Sequence, residues 1–279
     1  TASITIVGGT SPTVQNATLT SCYGAGNVIF NLTSAEGSIS TTPGATFSYY
    51  LNQADANAGN GNVIATPTAF SSAGNQTIYV LVKSGFCSRV AELQLVKAAE
   101  ITVTIANPAV LTCTNSQITL DASASVYPTG STFNWTTTGG NIVSGGTTLN
   151  PVINAPGTYT LTISNTFPGN VTCTNTANVT VTGNSTPPNT GLTASKILIC
   201  SGDTVTLTAT GGATYNWTGL TGNGAIQTVS PTATTTYTVT AVGANGCVST
   251  TSASITIEVS QPFTTQNASL LECYQQGGN

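Results

Sequence analysis

Threonine alternates with an aliphatic or aromatic residue in stretch after stretch of this chain. Ile101–Ile105 reads ITVTI, Thr158–Ser164 reads TYTLTIS, Val205–Thr210 reads VTLTAT and Thr236–Val242 reads TYTVTAV. A period of two puts every second side chain on the same side of an extended backbone. Each stretch therefore has one face to bury and one hydroxyl-covered face to leave in water. β-Branched and aromatic residues suit a pleated strand, and the Gly, Asn and Pro clusters between the stretches suit tight turns. Thr fills 56 of 279 positions, whereas the helix formers Glu and Lys are scarce and Met is absent. The fold class expected is all-β, built of antiparallel hairpins.

Charge narrows the chemistry. The chain has four Lys and Arg, eight Asp and Glu, and no His, for a net charge of −4. A His-based hydrolytic triad cannot be built, and a typical zinc site or a basic nucleic-acid surface is equally out of reach. The acids are scattered singly, which speaks against a paired-carboxylate glycosidase. We expect no enzyme activity and no cofactor. No apolar run approaches the ~18 residues of a membrane span, so neither membrane insertion nor nucleic-acid binding is expected. No basic-plus-apolar leader opens the chain, so Thr1 reads as a mature start or as a point inside a longer protein.

The seven cysteines are Cys22, Cys87, Cys113, Cys173, Cys200, Cys247 and Cys273. Taken in order, the first six form pairs 65, 60 and 47 residues apart. Six cysteines allow 15 pairings, so connectivity stays open. The sequential choice, Cys22–Cys87, Cys113–Cys173 and Cys200–Cys247, is favoured because each pair then brackets one strand-rich block. Each such bond would stabilise its block by roughly 4 kcal/mol in the chain-entropy model. Structural disulfides also imply a secreted, extracellular location.

Cys273 has its own explanation. Residues 15–23 read QNATLTSCY and residues 266–274 read QNASLLECY, six identities in nine at an offset of 251. Cys273 thus sits where Cys22 sits, at the opening of a further copy, and would pair with a cysteine downstream. A recurrence at this spacing marks one unit of a longer array.

The expected organisation is residues 1–98, 99–183 and 187–260 as three sandwiches, with 261–279 starting the next copy. In the second and third blocks a tryptophan, Trp135 or Trp217, lies between two cysteines, as in an immunoglobulin-like sandwich where it fills the space between sheets. Each second Cys is expected to tie the last strand to the start of the second, giving tandem sandwiches with one disulfide each. The first block lacks Trp. Phe47, Tyr49 and Tyr50 take the central place, Tyr79 is aligned with Tyr159 and Tyr237, and Ala54–Ser72 is expected to be a loop-rich excursion.

These residues resemble the large repeat adhesins of gliding Bacteroidota, the SprB-like surface proteins exported by the type IX system. The first block carries the likeness through FNLTSA, TFSYYLNQADANAGNGNVIATPTAF and QTIYVLV. The other two are similar to accompanying immunoglobulin- and PKD-like repeats, through CSGDTVTLTATGG, YNWTG and TYTVTAVGANGC. The resemblance implies a non-catalytic repeat unit of a long cell-surface adhesin or fibre, tied to attachment or gliding. Its partners would be neighbouring repeats of the same chain, surface polysaccharide or other filament subunits. Alternatives are a self-assembling filament or sheath subunit, and a carbohydrate-binding module with a sugar-stacking face drawn from Tyr23, Tyr127, Tyr215, Trp135 and Trp217. Asp203-Thr204-Val205 resembles a Bacteroidota O-glycosylation signal, which makes Thr204 a candidate glycosylation site.

Overall fold

The computed structural model describes residues 9–260, and the expected opening of a next copy at 261–279 lies outside them. Strands dominate, and the longest helix among the described residues, Gln53–Ala58, has six residues. The protein is all-β and immunoglobulin-like. Contacts divide it into two compact units. One takes the residues up to Ala109 together with Gln117–Thr182; the other takes Val110–Ser116 and the residues from Gly183 onward.

In the first sandwich a four-stranded sheet runs in the order Ala17–Ser21, Cys87–Lys97, Gln76–Ser84, Thr46–Tyr50. The first of these is parallel to Cys87–Lys97, and the other pairings are antiparallel. A small sheet of Val28–Phe30 with Phe70–Ser72 faces it. Period-two alternation sorts the side chains. Ile78, Val80 and Val82 enter the core with Phe30, Leu32, Ile39 and Tyr49. Tyr79, one residue out of phase, lies on the opposite face beside Tyr50, Leu81 and Ala56. The expected alignment of Tyr79 with Tyr159 and Tyr237 is therefore corrected, since those two are buried core residues. The excursion after Tyr50 is not mere loop. Asn52 caps a helix over Gln53–Ala58, Gly59 at φ 59° ends it, and Ala56 packs on the outer face of the sheet.

The second sandwich pairs Gly157–Phe167 with Val171–Val181 over eleven residues, and with Thr132–Thr138 on its other side. A second sheet joins Ile142–Ser144, Val152–Ile153 and Ile118–Thr119. Trp135 is buried, and its indole N–H donates to Thr148 O at 2.8 Å. The third sandwich stacks Gly191–Ala194, Val205–Thr210 and Ile226–Val229 against a sheet of Leu198–Cys200, Ala253–Ser260, Thr235–Val242 and Thr214–Trp217. Tyr237, Val239 and Ala241 share the core face with Val205, Leu207 and Trp217, whose N–H donates to Gly224 O at 3.0 Å. Both indoles thus bury their rings and satisfy their one polar atom.

Candidate functional site

The chemistry of this molecule is concentrated in its sulfur atoms, so the site is built from the strands that carry them. In the first and third blocks the first cysteine follows or ends a short strand parallel to the block's closing strand, and Cys113 follows a short strand parallel to Gly183–Asn184. Ser21 lies opposite Lys97, and Cys22 comes next. Thr112 lies opposite Asn184, and Cys113 comes next. Cys200 itself lies opposite Ser260. The second cysteine sits at the return of a hairpin. Cys87 is opposite Ser84, Cys173 is opposite Asn165, and Cys247 follows the turn closed by Gly246 N–H donating to Gly243 O.

In the first block this placement puts the two cysteines at opposite ends. The full strand Cys87–Lys97 separates the Cys87 level from the Cys22 level, about 33 Å at ~3.3 Å per residue. A disulfide requires Cα atoms within about 7 Å. The sequential pairing is therefore corrected: Cys22–Cys87, Cys113–Cys173 and Cys200–Cys247 do not form. Cys22 bonds Cys173, with Cα atoms 5.5 Å apart at a sequence separation of 151. Cys113 bonds Cys247 at 5.0 Å and a separation of 134. Both bonds join the first cysteine of one block to the second cysteine of the next. Neither ties a last strand to a second strand. Cys87 and Cys200, expected in disulfides, are free thiols, Cys200 exposed and Cys87 half-buried. Cys273 lies outside the described residues.

Each bond sits in a built contact. Beside Cys22–Cys173, the Tyr23 hydroxyl donates to Thr174 O at 3.3 Å, and Asn175 Nδ2 donates to Ile101 O at 2.7 Å. Burial, with the Glu100 carboxylate adding, raises the Tyr23 phenol above its ordinary range despite the Asn175 hydrogen bond. Beside Cys113–Cys247, Asn245 Nδ2 donates to Asn184 O at 3.2 Å and to Thr186 O at 2.9 Å. In both bonds the second cysteine is buried, while Cys22 is half-buried and Cys113 exposed.

The remaining candidates are dispersed. Thr204 is exposed at the edge of Val205–Thr210, its hydroxyl 3.3 Å from Ser230 Oγ. Asp203 closes the preceding turn: its N–H donates to Cys200 O, and its carboxylate accepts from Cys200 N–H at 3.4 Å. Trp135 and Trp217 are core residues, so they offer no ring face to a sugar. Among the described residues no three His, Cys, Asp or Glu side chains cluster as metal ligands would, and no helix is long and apolar enough to cross a membrane.

Comparison with known proteins finds two family matches. Residues 18–100 match the Flavobacterium inter-domain disulphide bond domain. Residues 187–261 match the Ig-like domain described as CHU_C associated. Together they support an immunoglobulin-like repeat protein of Bacteroidota. No curated protein matches the sequence. Similar solved structures include a Ca2+-stabilised adhesin with which an Antarctic bacterium binds ice (13% identity, 91% of this chain and 75% of that one, TM-score 0.40). Others are a multi-domain fragment of titin (12%, 88% and 97%, TM-score 0.31) and the amphioxus IgVJ-C2 molecule (14%, 52% and 97%, TM-score 0.25).

Proposed function

We propose that this chain is a non-catalytic, load-bearing repeat unit of a long secreted surface adhesin or fibre. It would hold a distal adhesive region away from the cell during attachment or gliding. The observation that carries this reading is the interleaving of the two disulfides. In chain order the bonded residues run Cys22, Cys113, Cys173, Cys247, so the second covalent loop begins inside the first and the first ends inside the second. A pull on residues 9 and 260 then travels through sulfur from Cys22 to Cys173, back along the second block to Cys113, and through sulfur again to Cys247. The backbone that can be drawn out is about 90 residues, roughly 300 Å at ~3.4 Å per residue. When sandwiches lose their sheets under load, the tether still lengthens little. The adhesive and gliding role is supported by the resemblance to the SprB-like adhesins, and the oxidising surface location by the disulfides themselves.

Single-molecule extension tests this. The unreduced chain should stop lengthening near that limit. Reductant should release about 160 further residues, roughly 550 Å of contour at ~3.4 Å per residue. Full extension without reductant would rule the role out.

A further inference from the structure

The two free thiols occupy the two positions that the bonding rule leaves open. Cys200 is a first cysteine, placed like Cys22 at the end of a short strand parallel to its block's closing strand and like Cys113 at the end of a short parallel pairing. Cys87 is a second cysteine, at a hairpin return like Cys173 and Cys247. We propose that Cys200 of one copy of this unit bonds Cys87 of the following copy, so that the covalent ladder continues from copy to copy. This rests on reading the chain as one unit of a tandem array.

Two further observations support the pairing. At the 251-residue recurrence, Cys87 of the following copy lies 138 residues beyond Cys200, between the separations of 134 and 151 in the two bonds that form. The surroundings also differ in the right sense. Where a bond exists, the hairpin return is clasped by hydrogen bonds such as Asn245 to Thr186 O, and its cysteine is 1% exposed. Where it does not, the return carries Phe86 at 101% exposure beside Cys87, and the other end carries Ile197 and Leu198 at 62% and 61% beside Cys200. Apolar side chains of this size bare at both unbonded ends fit an end-to-end contact with a second copy.

The chemistry is thiol–disulfide exchange with an oxidised small-molecule or protein disulfide. The Cys200 thiolate, the more exposed, attacks that disulfide; a mixed disulfide forms and one thiol leaves. The Cys87 thiolate of the next copy then attacks the Cys200 sulfur and expels the second thiol. The oxidant gains two electrons, and the two protons pass to its sulfurs.

The test uses the full chain with Cys273→Ser, at about 1 mM, the effective concentration that short linkers give. The chain is oxidised with glutathione disulfide and run without reductant. The expected result is a ladder of head-to-tail oligomers yielding a Cys87–Cys200 cross-linked peptide. Cys87→Ser alone and Cys200→Ser alone should stay monomeric, and their equimolar mixture should stop at dimer. A dominant Cys200–Cys200 peptide, or monomers carrying two glutathiones, would overturn the proposal. Neither outcome touches the load-bearing role of the two bonds within the unit, because extension of the single chain does not involve Cys87 or Cys200.

Discussion

The third sandwich fills the space between its sheets with Trp217, Tyr237 and Leu207, all drawn from strands. The first has no tryptophan. It fills the same space with Phe30, Tyr49 and Ile78 from strands, and with Leu32 and Ile39 from short helical turns. Their interiors have diverged, but their ends have not. Both place a first cysteine beyond or at the tip of a parallel strand and a second at a hairpin return. Packing needs only volume and apolarity, which many side-chain sets supply. A disulfide needs two Cβ atoms at one distance, which only a fixed backbone supplies. The ends are thus the constrained part of the unit.

If so, the two bonds should be worth similar amounts although they sit beside different cores. Replacing Cys22 and Cys173 together by Ser should cost about 5 kcal/mol in the chain-entropy model, and Cys113 with Cys247 about the same. Urea unfolding of the two double variants checks this; a bond whose loss moves the midpoint little would break the equivalence. Interior changes come next. Trp217→Ala should cost about 3–5 kcal/mol, since it empties a large buried volume and strands Gly224 O. Thermal unfolding should show the loss in the third sandwich while Cys22–Cys173 stays closed in peptide maps.

The cores were legible because their signal is local. Alternation of Thr with Val, Leu, Tyr or Ala in 205–210 and 236–242 names the buried face residue by residue, and Trp135 and Trp217 are buried as a residue between two sheets must be. The pattern misled at Tyr79, where matching aromatic to aromatic shifted the phase by one, although Ile78, Val80 and Val82 carry the true core face. The disulfides were not legible for a different reason. Nearness in sequence suggested Cys22 with Cys87, but the parallel pairing of Ala17–Ser21 with Cys87–Lys97 sends them to opposite ends. Parallel pairing is a long-range event with no hairpin turn to announce it. The helix at Gln53–Ala58 did leave a signal, Asn52 followed three residues later by Asp55 and then Gly59, which the surrounding Asn and Ala obscured.

A smaller effect separates the two interiors by pH. The Tyr49 hydroxyl donates to Glu36 Oε1 at 2.6 Å, and burial, then Glu36, push the phenol far above its ordinary value of 10. The folded state holds it protonated while the unfolded chain ionises near 10. Its contribution is therefore complete below pH 10 and is lost as the pH climbs toward the folded value. Tyr49→Phe should cost about 1.5–3 kcal/mol at neutral pH, as expected for a hydrogen bond to a charged group. It should also remove this alkaline loss from the first sandwich. An unchanged alkaline unfolding profile would place the sensitivity elsewhere.

The least of these effects lies on the outer face, where the first sandwich carries a helix that the third lacks. Asn52 Oδ1 accepts the Asp55 N–H at 2.9 Å, and Asn52 Nδ2 donates to Asp55 Oδ2 at 2.7 Å. Hydrogen bonds from Asn60, Asn52 and Asn62, in that order, hold the Asp55 carboxyl below its ordinary range. That support is present above the ordinary carboxylate value and fades as the pH falls through the lowered folded one. Asn52→Ala should cost about 1 kcal/mol, the usual loss of an N-cap. Amide exchange should quicken first at Asp55 and Ala56, then along Tyr50 and Leu81, which Ala56 covers. Exchange in Thr235–Val242 of the third sandwich should not change. If it does, the outer helix and the strand-built interior are not the separate contributions that the comparison of the two sandwiches implies.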